Sequence, residues 1–437
     1  MENQPPSSIS NRDTRIRLPL WAFALMLAIS ARGLLLSPVH AQTFEVIHYF
    51  QGVPADGDYP AAGLIMDGKG NFYGTARSGG PFYTEGICDA FSLVGCGDVF
   101  KMSKQGSDWV VTPMFFFDGP DGAYPMKPVT LGPDGDLYGS TGYGGRSCVP
   151  DEYGCGTIFR LSQLAAAGQA VESVIFSFPG GDNGGPLPNG VTFDKAGRMY
   201  GSSGYGGVNN LGVVFEFTGS GNTWTQSLIY SFTGGNDGAG PGRVIADASG
   251  NHLLGVTGGG GGGGSCVNGC GTVFELTRTG SGWTETILHA FNGSDGAAPS
   301  GVTLGKDGNL YGTTKGDYDC PATIWELSRS HGGWTFNVLY TFNGEPTEGP
   351  YGGVTPDEAG NLYGTTYLDG PYRSGNVYRL THSQGGWVYT DLHDFTGGDD
   401  GGEPMGDVIL DSAGNLYGTT SYGGTFGFLG VIWEITP

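Results

Sequence analysis

The residues with the clearest chemical potential in this sequence are aspartates in short Gly-rich stretches. Each stretch follows an apolar segment that ends in Phe, and the candidate binding residues are Asp56, Asp58, Asp121, Asp182, Asp237, Asp295, Asp399 and Asp400. Carboxylates in variable loops can bind a ligand, and carboxylate and carbonyl oxygens also suit Ca²⁺. No stretch has the dense Asp spacing of a dedicated calcium loop, and Asp-Gly is also good turn chemistry. We therefore predict a ligand-binding surface here and no metal site, with Ca²⁺ left open as a cofactor.

The cysteines offer a second kind of chemistry. Six of them form close pairs along the chain, which are Cys88 with Cys96, Cys148 with Cys155, and Cys266 with Cys270. Local pairing favours three disulfides, each within one loop, if the protein is exported. Metal ligation is the alternative, but no His accompanies the pairs at ligand spacing. Cys320 has no second cysteine in its own loop, and we expect it to be structural or to pair with another chain.

The sequence contains no specific catalytic constellation. His48, His289 and His393 could act as acids or bases, but they share one repeat position that elsewhere holds Phe or Tyr. That pattern favours packing over catalysis. Carboxylates for glycoside chemistry are numerous, yet no spacing singles out a pair. The glycine run 258–264 lacks the Lys-Ser/Thr of a phosphate loop.

A repeated segment, Gly-Asn-Leu-Tyr-Gly-Thr-Thr, must position all of these residues. It occurs verbatim three times, and its seven copies occupy 70–76, 135–141, 197–203, 250–257, 308–314, 360–366 and 414–420. Self-similarity at a steady spacing indicates a repeat architecture. Each copy is preceded by a short apolar segment and followed by Gly-x-Val-Phe-x-Leu and by a segment that runs from Trp to Phe, so each unit has four short strands, A to D.

Turn chemistry specifies how the four strands connect. Asp-x-x-Gly-Asn before strand B is typical of a tight hairpin, so the strands should be antiparallel. In strand D, Trp283, Ile287, His289 and Phe291 share one parity, which predicts that they face the same way. Seven such units predict an all-β, seven-bladed β-propeller rather than its rival, a parallel β-helix. In this fold the D-to-A and B-to-C loops lie on one face, which we call the loop face.

The two ends of the chain predict how the ring closes. The last repeat has strands A, B and C but no strand D, whereas residues 43–50 match strand D. The N-terminal strand should therefore complete the last blade and cover its edge.

These motifs resemble the GloVer tandem-repeat family of exported bacterial proteins, whose repeats centre on the same Gly-Asn-Leu-Tyr-Gly-Thr-Thr core. The resemblance covers residues 42–437. It implies export and a repeat fold, but it carries no known activity to particular residues. Members of the family often end in a surface-sorting segment, and this sequence departs from that pattern.

The N-terminal sequence and the overall charge limit the cellular location and the classes of binding partner that we expect. Residues 1–41 resemble a signal peptide: they contain basic residues, an apolar run from Leu18 to Ile29 and a small residue before the expected cleavage site. The alternative is an uncleaved membrane anchor. We expect a secreted or periplasmic protein, 42–437, that is a monomer and does not insert into a membrane after cleavage. A net charge of −22 argues against nucleic acid and anionic membranes as partners.

These observations favour a non-catalytic binding or scaffold module over an enzyme. The ligand would be a glycan, a peptide or an envelope protein bound on the acidic loop face. The alternative is a secreted polysaccharide hydrolase or lyase with its site at the channel mouth.

Overall fold

The Gly-Asn-Leu-Tyr-Gly-Thr-Thr segments form the second strand of seven similar antiparallel sheets. The computed structural model describes residues 42–437 except 83–86, 89–93, 146–152, 163–169, 186, 222, 265, 281, 318, 331 and 344–348. The signal peptide that we predict at 1–41 lies outside these residues. Residues Thr43–Thr436 form one compact unit. The seven sheets are the blades of a β-propeller, as the sequence predicts.

The strands of each blade follow in the order A, B, C and D from the centre outward. They are Ile65–Met66, Phe72–Ala76, Asp98–Gln105 and Asp108–Phe116 in blade 1; Thr130–Leu131, Leu137–Ser140, Thr157–Ser162 and Val171–Ser177 in blade 2; Pro188–Phe193, Met199–Ser203, Val213–Ser220 and Thr223–Ser231 in blade 3; Ala239–Pro241 with Ile245–Ala246, His252–Gly259, Thr272–Thr279 and Gly282–Ala290 in blade 4; Pro299–Leu304, Leu310–Thr314, Thr323–Ser330 and Gly333–Thr341 in blade 5; Thr355–Pro356, Leu362–Thr366, Asn376–Ser383 and Gly386–Asp394 in blade 6; Ile409–Leu410, Leu416–Thr420, Val431–Thr436 and Thr43–Tyr49 in blade 7.

Two smaller elements lie outside the blades. Gly57–Asp58 pairs with Ser78–Gly79 as a short ribbon, and Gly181–Asn183 forms a 3-10 turn. Within the described part of the chain, no helix has the length and apolarity needed to cross a membrane.

The hairpin between strands A and B explains why its sequence repeats. In blade 7 the Asp411 carboxylate accepts the backbone N–H groups of Ala413 and Asn415 at 2.8 and 2.9 Å. Gly414 takes a φ of +87°, which suits glycine. Tyr417 is the second residue of the strand that follows, and its hydroxyl donates to the same carboxylate at 3.2 Å. One aspartate therefore fixes both the turn and the strand that follows it.

The ring closes as the sequence predicts. Thr43–Tyr49 pairs antiparallel with Val431–Thr436, so the N-terminal strand is strand D of blade 7. Blade 7 also contacts blade 1 directly, because the Thr419 hydroxyl donates to the Ala62 carbonyl at 3.0 Å. The rings of Phe72 and Tyr417 lie 4.5 Å apart across the same junction.

The hydrophobic core lies between the blades rather than within them. The described buried side chains form seven clusters, and each cluster takes its residues from two neighbouring blades, including blade 7 with blade 1. Burial of this apolar surface is the main force that holds neighbouring blades together. No blade could bury both of its faces alone.

Strand D differs from its sequence pattern, because a β-bulge interrupts it at the same place in every blade. In blade 4 Ile287 pairs with Phe274 but His289 pairs with Val273, so Leu288 is the extra residue. Trp283 and Ile287 pack against blade 3, whereas Phe291 packs against blade 5. The prediction that Trp283, Ile287, His289 and Phe291 face the same way is therefore wrong: the bulge reverses the alternation after Ile287.

Candidate functional site

The D-to-A and B-to-C loops are joined to each other, as expected for two loops on one face. In five blades a glycine of the B-to-C loop donates its backbone N–H to a carbonyl of the D-to-A loop. These contacts are Gly80 to Asp56, Gly145 to Gly119, Gly207 to Gly181, Gly261 to Gly235, and Gly424 to Gly398, at 2.8–3.2 Å. The loop face is thus a connected surface rather than a set of independent loops.

The glycine run 258–264 serves this contact in blade 4. A Cβ on Gly260 would lie 2.5 Å from the Gly238 Cα, and Gly260 has a φ of +73°. A Cβ on Gly262 would overlap the side-chain amide of Asn236. Glycine is required where two backbones approach this closely. The glycine run therefore allows the two loops to pack closely, and its sequence does not match a phosphate loop.

Four of the predicted binding aspartates hold their own loops in place. Each bonds a strand-D side chain at the position shared by the three histidines: Asp56 with His48 at 2.9 Å, Asp237 with Tyr230 at 3.3 Å, Asp295 with His289 at 3.0 Å, and Asp400 with His393 at 3.1 Å. The same carboxylates accept backbone N–H groups of their loops. Their turn role is therefore established, while a ligand role stays a prediction.

The other four predicted aspartates differ in their surroundings. Asp58 accepts a hydrogen bond from the Ser78 hydroxyl, and the Asp121 carboxylate accepts the N–H of Asp118 at 2.8 Å. Burial raises the pKa of Asp58 to about 6 and the pKa of Asp121 to about 7. Asp182 and Asp399 are exposed. The structure thus distributes the eight aspartates over six blades and does not gather them into one cluster.

Two of the three histidines stack on an aromatic ring of the next blade. The ring of His393 stacks on Phe44 and the ring of His289 stacks on Phe336, both with centroids 3.6 Å apart. Burial lowers the pKa of His289, which favours its neutral form. The packing interpretation is therefore confirmed for these two residues, and it explains why Phe or Tyr can replace them in other blades.

Two of the three predicted disulfides are confirmed. Cys88 is bonded to Cys96 and Cys266 to Cys270, with Cα atoms 4.6 and 5.2 Å apart. Cys148 lies outside the described residues, so the pair that we predict with Cys155 is not described. The Cys320 sulfur lies 3.3 Å from that of Cys266, which brings together loops of blades 4 and 5. The sulfurs of Cys266, Cys270 and Cys320 lie within 4.8 Å of one another.

A cavity lies on the propeller axis. It has a volume of about 430 Å³, and the residues of strand A and the residues just before strand A line it. The charged lining residues are Lys127, Arg243 and Asp407. Lys315 lies beside them, over the ring of Tyr351 at 4.5 Å. We call these four charged residues the channel cluster.

Sequence reasoning missed the channel cluster, although the repeats contain a signal for it. Arg243 and Asp407 lie two residues before the last segment of strand A, at Ile245–Ala246 and Ile409–Leu410. The equivalent residues in blades 1, 3, 5 and 6 are Gly63, Gly190, Gly301 and Gly353. A position on the crowded axis that is glycine in four blades and carries a charged side chain in two others is an exception within the repeat. Comparing the copies for their exceptions, rather than for their agreement, would have found it.

The sequence of the repeats matches a known family. Residues 150–320 and 316–437 match the Gloeobacter/Verrucomicrobia repeat. The chain belongs to the Gloeobacter/Verrucomicrobia repeat family. This confirms the resemblance that the Gly-Asn-Leu-Tyr-Gly-Thr-Thr core indicates. No curated protein sequence matches this Gloeobacter/Verrucomicrobia repeat protein significantly.

Solved structures are similar to this Gloeobacter/Verrucomicrobia repeat protein in fold. A chain of a mitotic checkpoint complex is 10% identical with a TM-score of 0.52, and the match covers 99% of each chain. A PQQ-bound aldose sugar dehydrogenase from Streptomyces coelicolor is 14% identical with a TM-score of 0.46, over 90% of this chain and 98% of that one. At these identities the likeness concerns the fold alone.

Proposed function

We propose that this protein is an exported binding module whose ligand enters the central cavity from the loop face. The observation that carries this proposal is the set of backbone hydrogen bonds between the D-to-A and B-to-C loops. These bonds hold loops of differing sequence in fixed positions on the loop face, and preorganised loops lose less conformational entropy when a ligand binds. The ligand would be a glycan, a peptide or part of an envelope protein, bound to a monomer.

The carboxylates favour binding over glycoside hydrolysis. Hydrolysis of a glycosidic bond needs two carboxyl groups on either side of the scissile bond. Among the described residues that line the cavity, Asp407 is the one carboxylate. Burial raises the pKa of Glu172 to about 8 and that of Glu285 to about 7, but both residues lie on D strands, at the outer edge of the ring. Asp58 and Asp121, whose pKa values are also raised, lie in D-to-A loops, and none of these four acids lines the cavity.

Two features support export. The first 41 residues have the pattern of a signal peptide. The two disulfides fit an oxidising compartment. N-terminal sequencing of exported protein should find a start near Gln42, and a start at Met1 would contradict cleavage.

A thermal melt of residues 42–437 with a ligand panel tests the binding proposal. The panel would hold Ca²⁺, neutral and acidic polysaccharides, and peptidoglycan fragments. A ligand at a hundred times its Kd adds roughly 2.7 kcal/mol to the free energy of unfolding, so a true ligand raises the Tm. Product analysis with the same ligand should find it unchanged. No shift with any member of the panel would reject small ligands and glycans and leave an envelope protein as the partner.

A further inference from the structure

We propose that the central cavity binds a compact anion, namely a carboxylate- or phosphate-bearing group of a small molecule, through Lys127, Arg243 and Lys315. This proposal rests on the binding function above and specifies the chemistry of its ligand. The cavity volume of about 430 Å³ falls in the range of roughly 300–1,000 Å³ that is usual for small-molecule sites.

The charge of the cavity is opposite to that of the protein. The chain has a net charge of −22, with 42 acidic and 20 basic residues. The channel cluster nevertheless has three cations and one carboxylate, Asp407. A cation cluster enclosed by protein, in a chain that is otherwise acidic, creates a local positive potential that attracts anions.

The three cations also lack a directly paired carboxylate among the described residues. Within the described part of the chain, none of the three forms an ion pair with a carboxylate, whereas Arg160, Arg198 and Arg278 all do. The Asp407 Oδ1 accepts the N–H of Gly353 at 2.5 Å, and the single Asp407 charge acts on both Lys127 and Arg243, so it offsets the three cations only in part. The positive charges are therefore available to a ligand.

The Arg243 guanidinium is held in position by hydrogen bonds and still has an unpaired donor. Its Nη2 donates to the Thr130 hydroxyl at 3.0 Å and to the Val191 carbonyl at 3.4 Å. Its Nε is buried and has no hydrogen-bond partner among the described residues. A guanidinium that is held through Nη2 and keeps an unpaired Nε–H can still donate a charge-assisted hydrogen bond to a carboxylate or a phosphate oxygen.

The surroundings of Lys127 indicate that the charges of the channel cluster destabilise the fold when no ligand is bound. Burial, with the nearby charges of Lys315 and Arg243, lowers the pKa of Lys127 to about 8, and Asp407 only partly opposes this. Burial also lowers the pKa values of Lys315 and Arg243. Groups whose charged form is disfavoured in the folded protein occur more often at functional sites than at sites that serve stability alone. A bound anion would offset that cost.

The ring offers a matched set of variants. Arg243→Gly restores the residue that four other blades have at this position, so it should not disturb the fold. Lys127→Met removes a charge that the fold destabilises, so its Tm should equal or exceed that of the parent. Lys306→Met is the control, because Lys306 is an exposed cation that pairs with Glu358.

Isothermal titration of residues 42–437 with citrate, oligogalacturonate and inorganic phosphate tests the proposal, and neutral oligogalactose is the uncharged comparison. We expect at least one anion to bind. Arg243→Gly and Lys127→Met should each weaken that binding at least tenfold, Asp407→Asn should tighten it, and Lys306→Met should leave it unchanged. Comparison of citrate and oligogalacturonate with phosphate then assigns the anionic group.

The same titration at several pH values gives an independent readout. Affinity should fall as the pH rises through about 8, because Lys127 then loses its proton in a cluster that it shares with Arg243, Lys315 and Asp407. If no anion binds, or if anions bind Arg243→Gly and Lys127→Met as tightly as the parent, the proposal is overturned. Oligogalactose binding that these variants do not change would overturn this proposal while supporting the binding function itself.

Discussion

Side-chain hydrogen bonds explain why strand B repeats so closely. In six blades its Tyr donates to the Asp of the preceding hairpin, in the pairs Tyr73–Asp67, Tyr138–Asp134, Tyr200–Asp194, Tyr311–Asp307, Tyr363–Asp357 and Tyr417–Asp411. In the same blades its first Thr or Ser hydroxyl donates to a carbonyl of the next blade at 2.6–3.3 Å. The motif therefore encodes both a turn and a contact between blades.

Removing one hydroxyl between blades should be measurable. In Thr365→Val the Gly406 carbonyl loses its donor, so we expect the free energy of unfolding to fall by about 1 kcal/mol. Thr381→Val is the matched control, because the buried Thr381 hydroxyl has no partner among the described residues. Urea denaturation would measure both variants. Equal losses for the two would contradict the role of the hydrogen bond.

The hairpin aspartate should matter more than an exposed one. The Asp357 carboxylate accepts N–H groups from Ala359 and Asn361 and the Tyr363 hydroxyl. Asp357→Ala should cost about 2 kcal/mol at pH 7, since bonds to charged groups are the stronger kind. The exposed Asp399→Ala should cost little.

The effect of Asp357→Ala should also depend on pH. Burial alone would raise the pKa of Asp357, but its hydrogen bonds outweigh burial and lower the pKa below 3.8. The stability that Asp357 adds is therefore fully present above pH 3.8 and is lost as the pH falls through the lower pKa of the folded state. Denaturation curves of Asp357→Ala and the parent should converge in acid, and a constant difference would exclude this origin.

At the scale of elements, the N-terminal strand should control the stability of the whole ring. A chain that starts at Gly52 lacks strand D of blade 7 and exposes the edge of Val431–Thr436. We expect it to melt at a much lower temperature or without a cooperative transition. Circular dichroism would measure this, and a melt equal to that of residues 42–437 would contradict closure.

A peptide of residues 43–51 provides the control for that experiment. Added to the shortened chain, it should restore a cooperative melt, because the edge and its pocket remain. The same peptide with Phe44→Ala should restore less, since Phe44 stacks on His393 of blade 6. Equal rescue by both peptides would exclude this contact from closure.

For the whole molecule, we expect stability to increase on mild acidification. Burial raises the pKa values of Asp58 to about 6, Asp121 and Glu285 to about 7, and Glu172 to about 8. Between these values and the ordinary 3.8–4.5, the folded state binds more protons than the unfolded chain, so stability rises as the pH falls from about 8 to about 5. His289, whose pKa is lowered, opposes this.

Melting temperatures across this pH range test the acidification prediction. Glu172→Gln and Glu285→Gln are the informative variants, because each removes one carboxyl group with a raised pKa and changes the shape of the side chain little. The rise in Tm between pH 8 and pH 5 should be smaller in each variant than in the parent. A Tm that falls steadily from pH 8 to pH 5 would contradict the prediction.

The sequence predicted the features that all blades share. It did not predict features that depend on a single blade or a single position. Hairpins, strand order and closure follow from motifs that recur in the printed sequence. The bulge at Leu288 was not predictable from alternation, because an inserted residue reverses parity without a composition signal. Arg243 and Asp407 were missed because aligning repeats emphasises their common residues. The turn role of Asp295 could be expected, but its bond to His289 needed the three-dimensional fold.

The pairing of Thr43 with Thr436, 393 residues away in the chain, has a consequence for the order of events during synthesis. Strand D of blade 7 is synthesised before all the other blade strands, and strands A, B and C of blade 7 are synthesised after those of the other blades. The apolar segment 43–50 must therefore wait for the entire chain before its partner exists, and contacts of such long range form slowly. During that interval the unpaired segment is a site where a growing chain can aggregate or bind a chaperone. The arrangement that leaves the finished ring without an open edge thus concentrates the risk in the period before completion.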